Sequence, residues 1–269
     1  MVSWAVTGAT RGIGFGFVNN LSVDPNNQVF ALIRSRATAS PLEELAAKRK
    51  NIHIVVTDIS DPRKLDQATG EVSKVTGGSL DVLILNAGSA GPEDTSVLPP
   101  TAFRGKEDAL EKEINVNIKN NLLSNIYVIN SFLDLVRHGK EKKIIFISSP
   151  SGDIEFTRVT GITTVLGYSV AKAGMNIVIT KFGAELAQEG IKTLSLSPGW
   201  VDTDAAREVT GEPAIREFML NAFHKLDPSV TGPISVDDSV NQQLQVIQSL
   251  TEANSGKFLT NRGNHDEWF

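Results

Sequence analysis

Short runs of apolar residues recur along the chain and are separated by longer stretches with helical periodicity. Most of these runs are too continuously apolar for strands with one wet face, so they predict strands that are covered on both sides, as in a parallel sheet. The predicted strands are Trp4–Thr7, Val29–Ile33, Ile52–Val56, Val82–Leu85, Lys143–Ser148, Thr193–Ser197 and Gly256–Thr260. The predicted helices are Gly12–Leu21, Leu42–Lys50, Pro62–Val75, Lys106–Arg137, Gly167–Glu189 and Val236–Ser249.

Strands and helices therefore alternate over nearly the whole chain. This order predicts an α/β fold: a doubly wound, mainly parallel sheet of about seven strands with helices on both faces. No internal repeat and no linker interrupts the pattern, so we expect residues 1–269 to form a single domain.

Composition and charge exclude several classes of function. The formal net charge of −5 leaves no broad basic face for nucleic acid or an anionic membrane. The chain has no cysteine, which excludes disulfides, thiolate metal sites and cysteine nucleophiles. The four histidines are scattered, and no metal site is indicated. Because the first predicted strand starts close to Met1 and no apolar run has the length of a membrane span, we expect a cytoplasmic protein.

A glycine-rich segment follows the first predicted strand directly and leads into a helix. The sequence is TGATRGIG, in which Gly8 permits a turn, and Gly12 and Gly14 allow backbone and helix to approach a ligand closely. The first N–H groups of a helix have no partner within the helix and lie at the positive end of its dipole. The segment therefore suits a pyrophosphate, although a glycine-rich turn that binds no ligand is the alternative.

The end of the second predicted strand bears on the choice of dinucleotide. Sites that prefer NAD place an acidic residue there, which accepts hydrogen bonds from the ribose hydroxyls. This chain has Arg34, Ser35 and Arg36 instead, with Arg11 in the glycine turn as a further cation. Arginine pairs well with a phosphate dianion, which favours NADP(H). The alternative is that these arginines are ordinary surface residues, solvated by water and without a ligand.

Seven motifs in order resemble the short-chain dehydrogenase/reductase family over residues 3 to 263 or so. TGATRGIG resembles the glycine turn of the family, and VTDIS places Asp58 where the family contacts adenine. The other five are LNAGSA, INVNIKNN, IFISSPSG, GYSVAKAG and SPGWVDTD. The resemblance implies a Rossmann-type fold and an NADP(H)-dependent oxidoreductase that interconverts a ketone or aldehyde and an alcohol.

The resemblance also implies the site residues. The expected catalytic residues are Asn117, Ser149, Tyr168 and Lys172. The expected cofactor-binding residues are Thr7, Gly8, Arg11, Gly12, Ile13, Gly14, Arg34, Ser35, Arg36, Asp58, Ile59, Asn86, Ala87, Gly88, Tyr168, Lys172, Pro198, Gly199, Val201 and Thr203. In the family, the helices that correspond to Lys106–Arg137 and Gly167–Glu189 commonly form a dimer interface, which implies a homodimer or homotetramer.

Two departures from the family pattern affect these expectations. The loop between Ser149 and Tyr168 is several residues longer than usual, which leaves open whether Ser148, Ser149 or Ser151 supplies the functional hydroxyl. The same loop resembles the carbonyl-reductase-like branch that includes the C-factor and sniffer proteins. Asn120 also stands where many members have glycine.

Tyr168 and Lys172 lie four residues apart on a predicted helix and therefore share one face. An ammonium group beside a phenol favours the phenolate, so we expect Lys172 to lower the pKa of Tyr168 from its usual value of about 10. Tyr168 then gives a proton to a carbonyl oxygen, or removes one in the reverse direction. Ser149 is expected to hold that oxygen by a hydrogen bond.

The substrate is expected to contact loops beyond the carboxyl ends of the strands, at about residues 89–105, 150–166 and 200–234. In the last of these, Ile215, Phe218, Met219 and Ala222 share one helical face, which is either an apolar lid or part of the core. A lid would suit an aromatic or aliphatic carbonyl compound. Two other functions stay open: a regulatory protein that senses NADP(H), and a non-redox biosynthetic enzyme on the same scaffold.

Overall fold

The computed structural model describes residues 1–210 and 212–269, and within these residues seven parallel strands form one sheet. The order of the strands in the sheet is β3-β2-β1-β4-β5-β6-β7. The strands are β1 (Ser3–Thr7), β2 (Gln28–Ile33), β3 (Ile52–Val56), β4 (Val82–Leu85), β5 (Lys143–Ile147), β6 (Lys192–Ser197) and β7 (Lys257–Thr260). The predicted doubly wound α/β architecture is confirmed.

The α-helices of the described residues connect these strands or extend from the loops that follow them. They are α1 (Gly12–Leu21), α2 (Ser40–Lys48), α3 (Pro62–Thr76), α4 (Glu93–Ser96), α5 (Glu107–Asn117), α6 (Ser124–Arg137), α7 (Ile154–Thr160), α8 (Leu166–Leu186), α9 (Asp204–Thr210), α10 (Pro213–Phe223) and α11 (Val236–Gln248).

The two faces of the sheet are buried by different helices. Side chains of α1, α2 and α11 pack on one face, with Phe17 and Ile247 fully buried among them. Side chains of α3, α6 and α8 pack on the other, with Phe132 and Met175 fully buried. This double cover explains why the strands are apolar at successive positions rather than at alternate ones.

The order in which successive strands are added to the sheet reverses between β1 and β4. The first three strands extend the sheet one way from β1, and β4 to β7 extend it the other way. A crevice opens outside the carboxyl ends of the strands at such a reversal, and ligands of doubly wound proteins bind there. The glycine turn lies at the end of β1, within this crevice.

The helix predicted over residues 106–137 is divided in the structure. A π-helical segment, Ile118–Leu123, separates α5 from α6. The helix predicted over residues 167–189 begins one residue earlier, as α8, and ends in a 3₁₀ turn at Ala187–Glu189. Among the predicted substrate loops, Gly211 lies outside the described residues.

Within the part of the chain that the structure describes, none of the helices combines the length and the apolar character that crossing a membrane requires.

Candidate active site

The glycine turn places backbone against backbone at the junction of β1 and α1. Gly8 and Gly12 have φ angles of +67° and +56°, a conformation that favours glycine. A Cβ on Gly14 would collide with the carbonyl oxygen of Gly8, and one on Gly8 would lie 2.9 Å from Cα of Ala87. These glycines are therefore needed for the shape of the turn.

The amino end of α1 fits a pyrophosphate. Its N-cap, Arg11, is extended and its side chain makes no capping bond within the described structure. The first turn of α1 has no acidic residue. Gly12 and Ile13 line the cavity, so their N–H groups and the positive end of the helix dipole face an open space.

Thr7 and Asn86 brace this turn from behind. The Thr7 hydroxyl accepts hydrogen bonds from the backbone N–H groups of Asn86 and Ala87, each at 3.0 Å. The Asn86 amide donates to the carbonyl oxygens of Thr7 and Gly8, at 3.0 and 3.2 Å. These bonds join the ends of β1 and β4, so Thr7 and the amide of Asn86 fix the backbone that faces the ligand.

The arginines at the end of β2 do not all face the cavity. Arg34 and Ser35 line it, whereas Arg36 forms an ion pair with Glu43 at 3.0 Å and is not among the lining residues. Arg11 also lines the cavity, and its exposed guanidinium lies 3.8 Å from Glu208. The structure thus separates Arg36 from the cations that a phosphate in the cavity would meet.

Asp58 lies at the end of β3, next to Ile59, and both residues line the cavity. The backbone N–H and the hydroxyl of Ser60 donate to one Asp58 oxygen, at 3.0 and 2.8 Å. These two hydrogen bonds hold the pKa of Asp58 below its ordinary value. The carboxylate is therefore ionised near neutrality, and it accepts hydrogen bonds without donating any.

Ser149 and Tyr168 are brought together across the loop that joins β5 to α8. A hydrogen bond joins their side chains, and it opposes the rise that burial causes in the pKa of Tyr168. Ser149 also caps a 3₁₀ turn by accepting from the Ser151 N–H at 3.2 Å. The Ser148 hydroxyl donates instead to Asn176, at 2.7 Å, and is buried. Of the three candidate serines, Ser149 is the one bonded to Tyr168.

Lys172 lies one turn after Tyr168 on α8 and is buried. Its ammonium nitrogen donates to the carbonyl oxygen of Ile147 at 2.7 Å and lies 5.4 Å from the centre of the Tyr168 ring. Burial lowers the pKa of Lys172 to about 7. The expected fall in the pKa of Tyr168 is wrong for this structure, because burial raises that pKa more than the interaction with Ser149 lowers it.

Asn117 and Asn121 form a buried chain of amides beside Lys172. The Asn117 amide donates to the carbonyl and carboxylate oxygens of Glu113, at 3.0 and 3.1 Å. The Asn121 amide donates to Asn117 and to the Ser89 carbonyl, and Asn121 accepts from the Ser89 N–H at 2.9 Å. Asn121 therefore holds both backbone groups of Ser89, and Asn117 lies against Gly91 in the same segment.

The position of Gly88 shows how close these groups lie. A Cβ there would be 2.6 Å from the Asn121 amide oxygen and 3.9 Å from the ammonium nitrogen of Lys172. Asn121 thus lies beside Gly88 and is bonded to Asn117, the predicted catalytic asparagine. Sequence spacing missed Asn121 because the π-helical segment changes the register between α5 and α6.

One continuous cavity of about 1250 Å³ joins the glycine turn to the Ser149–Tyr168 pair. This volume exceeds the roughly 300–1,000 Å³ of a typical single-ligand site. The residues Pro198, Gly199 and Thr203 line the cavity as expected. Val201 does not line it; this residue is buried and pairs with Ile234 in an isolated parallel bridge.

Sequence reasoning missed Val165, which lines the cavity and precedes α8. Its φ is +55°, a strained conformation for a β-branched residue, and its N–H donates to the Ser96 carbonyl at 2.6 Å. This bond ties the loop after β4 to the start of the helix that carries Tyr168. No motif in the sequence indicates it.

Comparisons with known proteins agree with this geometry. The family model for short chain dehydrogenase matches residues 4–214. The chain is 51% identical over 266 residues to the short-chain dehydrogenase/reductase AtnB of Arthrinium sp, covering 99% of each chain. The chain belongs to the short-chain dehydrogenase/reductase family. It is also 34% identical to the short-chain dehydrogenase/reductase AacuF of Aspergillus aculeatus, covering 98% of each chain.

Solved structures of this family place the chain beside carbonyl reductases. The NADPH-bound carbonyl reductase from chicken fatty liver is 29% identical, with a TM-score of 0.77, over 99% of this chain and 98% of the other. The carbonyl reductase Sniffer of D. melanogaster is 26% identical, with a TM-score of 0.77, over 100% of both chains. The chain is thus an oxidoreductase of the short-chain dehydrogenase/reductase family with carbonyl reductases as structural neighbours.

Proposed function

We propose that this protein reduces a ketone or aldehyde to an alcohol with NADPH, in a reversible reaction in which Tyr168 is the general acid. The observation that carries the proposal is that Ser149, Tyr168 and buried Lys172 line the same cavity as the glycine turn. A protein that only senses a dinucleotide has no need of this arrangement.

The dinucleotide would be held along the carboxyl edge of the sheet. The amino end of α1 receives the pyrophosphate, and Asp58 and Ile59 lie where the adenine is expected. Arg34 supports NADP(H) over NAD(H), because its exposed guanidinium lines the cavity at the end of β2. The cavity-lining segment Pro198–Gly199 and Thr203 would hold the nicotinamide, which supplies hydride to the carbonyl carbon when the cofactor is bound.

Side chains of the protein bind the carbonyl oxygen of the substrate and give it a proton. Ser149 and Tyr168 line the same cavity and their side chains interact, so both hydroxyls can donate to a carbonyl oxygen bound beside them. Because burial raises its pKa, Tyr168 keeps its proton at neutral pH and has it available to give. Lys172, with a pKa of about 7, both binds and releases a proton near neutrality and suits the resupply of Tyr168.

In this proposal Asn121 acts together with Asn117, the asparagine that the resemblance implies as catalytic. It bonds both backbone groups of Ser89, and the space beside Gly88 is bordered by both Asn121 and Lys172. Asn117 orients Asn121 by accepting its amide hydrogen at 2.9 Å. The two asparagines and Glu113 thus fix the wall behind the lysine.

The test is a panel of ketones and aldehydes with NADPH or NADH, followed at the nicotinamide absorbance. We expect turnover with NADPH preferred over NADH, and a loss of about 10²- to 10⁴-fold in kcat for Tyr168→Phe, the range that general acid catalysis contributes. Tyr127→Phe is the matched control: Tyr127 packs against the core on α6, and its loss should leave kcat unchanged.

Four results would contradict the proposal in different ways. Equal turnover by Tyr168→Phe removes Tyr168 as the acid, and a preference for NADH removes the argument from Arg34. Product formed without net loss of NADPH indicates non-redox chemistry on the same scaffold. Binding of NADPH with no turnover of any carbonyl compound indicates a regulatory protein.

A further inference from the structure

An aromatic cluster forms the wall of the cavity beyond the catalytic side chains. Phe156 on α7, Trp200 after Gly199, Phe223 on α10 and Phe269 come from four separate segments, and all four line the cavity. Phe156 follows the Ser149 turn, and Trp200 follows the segment assigned to the nicotinamide. The cluster therefore lies on the substrate side of the cavity.

The rings of this wall contact one another closely. Phe223 and Phe269 have ring centres 4.4 Å apart at an angle of 37°, and Trp200 meets Phe223 edge-on at 5.0 Å. Phe156 lies 6.0 Å from Phe223 and 6.2 Å from Phe269. These separations fall within or next to the range of about 4.5–7 Å in which aromatic pairs attract, so the wall is a packed surface rather than a set of loose side chains.

A second layer holds this wall in place. Trp268 packs edge-on against Phe156 at 5.7 Å and contacts Phe258 at 5.4 Å, and neither Trp268 nor Phe258 lines the cavity. Lys225, after α10, donates to the carbonyl oxygen of Thr160 at the end of α7, at 3.0 Å. The helices that carry Phe156 and Phe223 are thus tied together.

The lid side of the cavity carries exposed apolar groups. Phe218 and Ile215 on α10 line the cavity, yet Phe218 is 53% exposed and Ile215 is 37% exposed. An exposed phenylalanine at the mouth of a site gains by burial when an apolar ligand enters. Together with the wall, it makes the space beyond Tyr168 apolar and largely aromatic.

We propose that Phe269, with Phe156 and Phe223, determines substrate specificity by packing the parts of these rings that border the cavity against a flat aromatic ring fused or joined to the reacting carbonyl group. The three rings are buried, and Phe269 is the most exposed of them at 9%. The inference rests on the proposed carbonyl reduction. A flat ring offers its face or edge to the rings of this wall, whereas a saturated ring of equal size is puckered and has no π-system. The wall therefore favours aryl ketones over alicyclic ketones.

The test compares 1-tetralone with 1-decalone, two bicyclic ketones with the same number of non-hydrogen atoms. We expect wild-type kcat/KM to favour 1-tetralone at least tenfold. Phe269→Ala should raise KM for 1-tetralone about tenfold, change kcat less than twofold, and bring the ratio of kcat/KM for the two ketones close to one. Phe269→Leu, which keeps volume without a ring, should show the same loss of preference if alanine weakens the fold.

Phe258→Leu is the matched control, since Phe258 contacts the same cluster through Trp268 without reaching the cavity. It should keep the wild-type ratio. Equal wild-type efficiencies for the two ketones, or a ratio that Phe269→Ala and Phe269→Leu leave unchanged, overturn the inference while carbonyl reduction stands.

A measurement of 1-tetralone binding distinguishes failure of the aromatic-site inference from failure of the proposed carbonyl reduction. Quenching of tryptophan fluorescence reports 1-tetralone binding to the NADPH complex without turnover. If no carbonyl compound is reduced, binding that is lost in Phe269→Ala but kept in Phe258→Leu still supports the aromatic site. Absence of 1-tetralone binding to the wild type overturns it.

Discussion

Burial changes the charge of Lys172 near neutrality. Its side chain is 4% exposed, and its nitrogen lies 4.5 Å from the centre of the Phe146 ring, with the Ile147 carbonyl as its hydrogen-bond acceptor. A free lysine has a pKa of about 10.4, whereas burial lowers that of Lys172 to about 7. The folded protein therefore loses this proton several pH units before the unfolded chain does.

This difference predicts how stability changes with pH. Between pH 7 and about 10, the unfolded chain binds one more proton at this position than the folded protein, so the free energy of unfolding rises with pH. We expect Lys172→Met to remove a rise of up to about 1.4 kcal/mol per pH unit in the cofactor-free protein. Urea unfolding at pH 7, 8 and 9 measures it.

Lys181 provides the control for this prediction, because it lies on the same helix and is exposed. Lys181→Met should leave the wild-type slope unchanged. If the free energy of unfolding has the same pH dependence in wild type and Lys172→Met, Lys172 stays charged across this range. That result would contradict its proposed role in proton resupply.

Residue identity predicted some parts of the site better than others. Gly8, Tyr168 and Lys172 have roles that follow from one residue and its near neighbours: a left-handed turn, and two groups on one helix face. Arg36 depends on which partner its flexible side chain finds, and Glu43 is that partner. Partners from elsewhere in the chain are invisible to local sequence patterns.

The π-helical segment is the element that shaped the site unexpectedly. At its end the backbone N–H of Ser124 bonds to the carbonyl of Lys119, five residues back, and the Ser124 hydroxyl donates to the same oxygen at 2.8 Å. The Asn125 amide donates to the Asn121 carbonyl at 2.9 Å. Asn121 lies within this wider turn, and a regular helical repeat does not predict the π-helical segment.

Asn121→Ala therefore tests the element as well as the residue. It removes the partner of both backbone groups of Ser89 and leaves the wall behind Lys172 unsupported. We expect kcat with a ketone and NADPH to fall about 100-fold while the far-ultraviolet circular dichroism is retained. The neighbouring Asn120→Ala removes one 3.3 Å bond to the Ser89 hydroxyl and should cost less than fivefold. Equal losses in the two variants would contradict the special role of Asn121.

The helices inserted in the loops show where element prediction ends. Strands β1 to β7 and the long helices were predictable because each buries a continuous apolar face. Helices α4, α7 and α9 have only four to seven residues, too short for a periodic signal. Their positions depend on contacts such as the bond from Val165 to Ser96.

At the scale of the whole molecule, the two edges of the sheet have separate tasks. The cavity lies at the carboxyl ends of the strands, and a buried hydrogen-bond network around Asp81 lies at their amino ends. The Asp81 carboxylate accepts from the N–H and hydroxyl of Ser3, at 2.8 and 2.9 Å, and from the Lys140 N–H at 2.7 Å. These bonds join the starts of β1, β4 and β5, so we expect them to act on stability and not on turnover.

Burial opposes ionisation of Asp81, but the bonds from Ser3 and Lys140 prevail and lower its pKa below the ordinary value. A lowered pKa in the folded state means that the stabilisation is present above the unfolded pKa of about 3.9 and is lost as pH falls below it. Asp81→Asn should therefore lower the free energy of unfolding at pH 7 by about 2 kcal/mol, the value of hydrogen bonds to a charged group. Its difference from wild type should shrink by pH 3, and kcat should stay within twofold.

Asp134→Asn is the surface comparison, since the side chain of Asp134 is 84% exposed in its pair with Arg137. Such pairs contribute about 0–1 kcal/mol, so this variant should unfold at nearly the wild-type urea concentration. Chemical unfolding at pH 7, 5 and 3, with ketone reduction assayed at pH 7, separates the two edges. A large loss of kcat in Asp81→Asn would show that the hydrogen-bond network at the amino ends also affects the cavity at the carboxyl ends. The inference that this network acts only on stability would then be wrong.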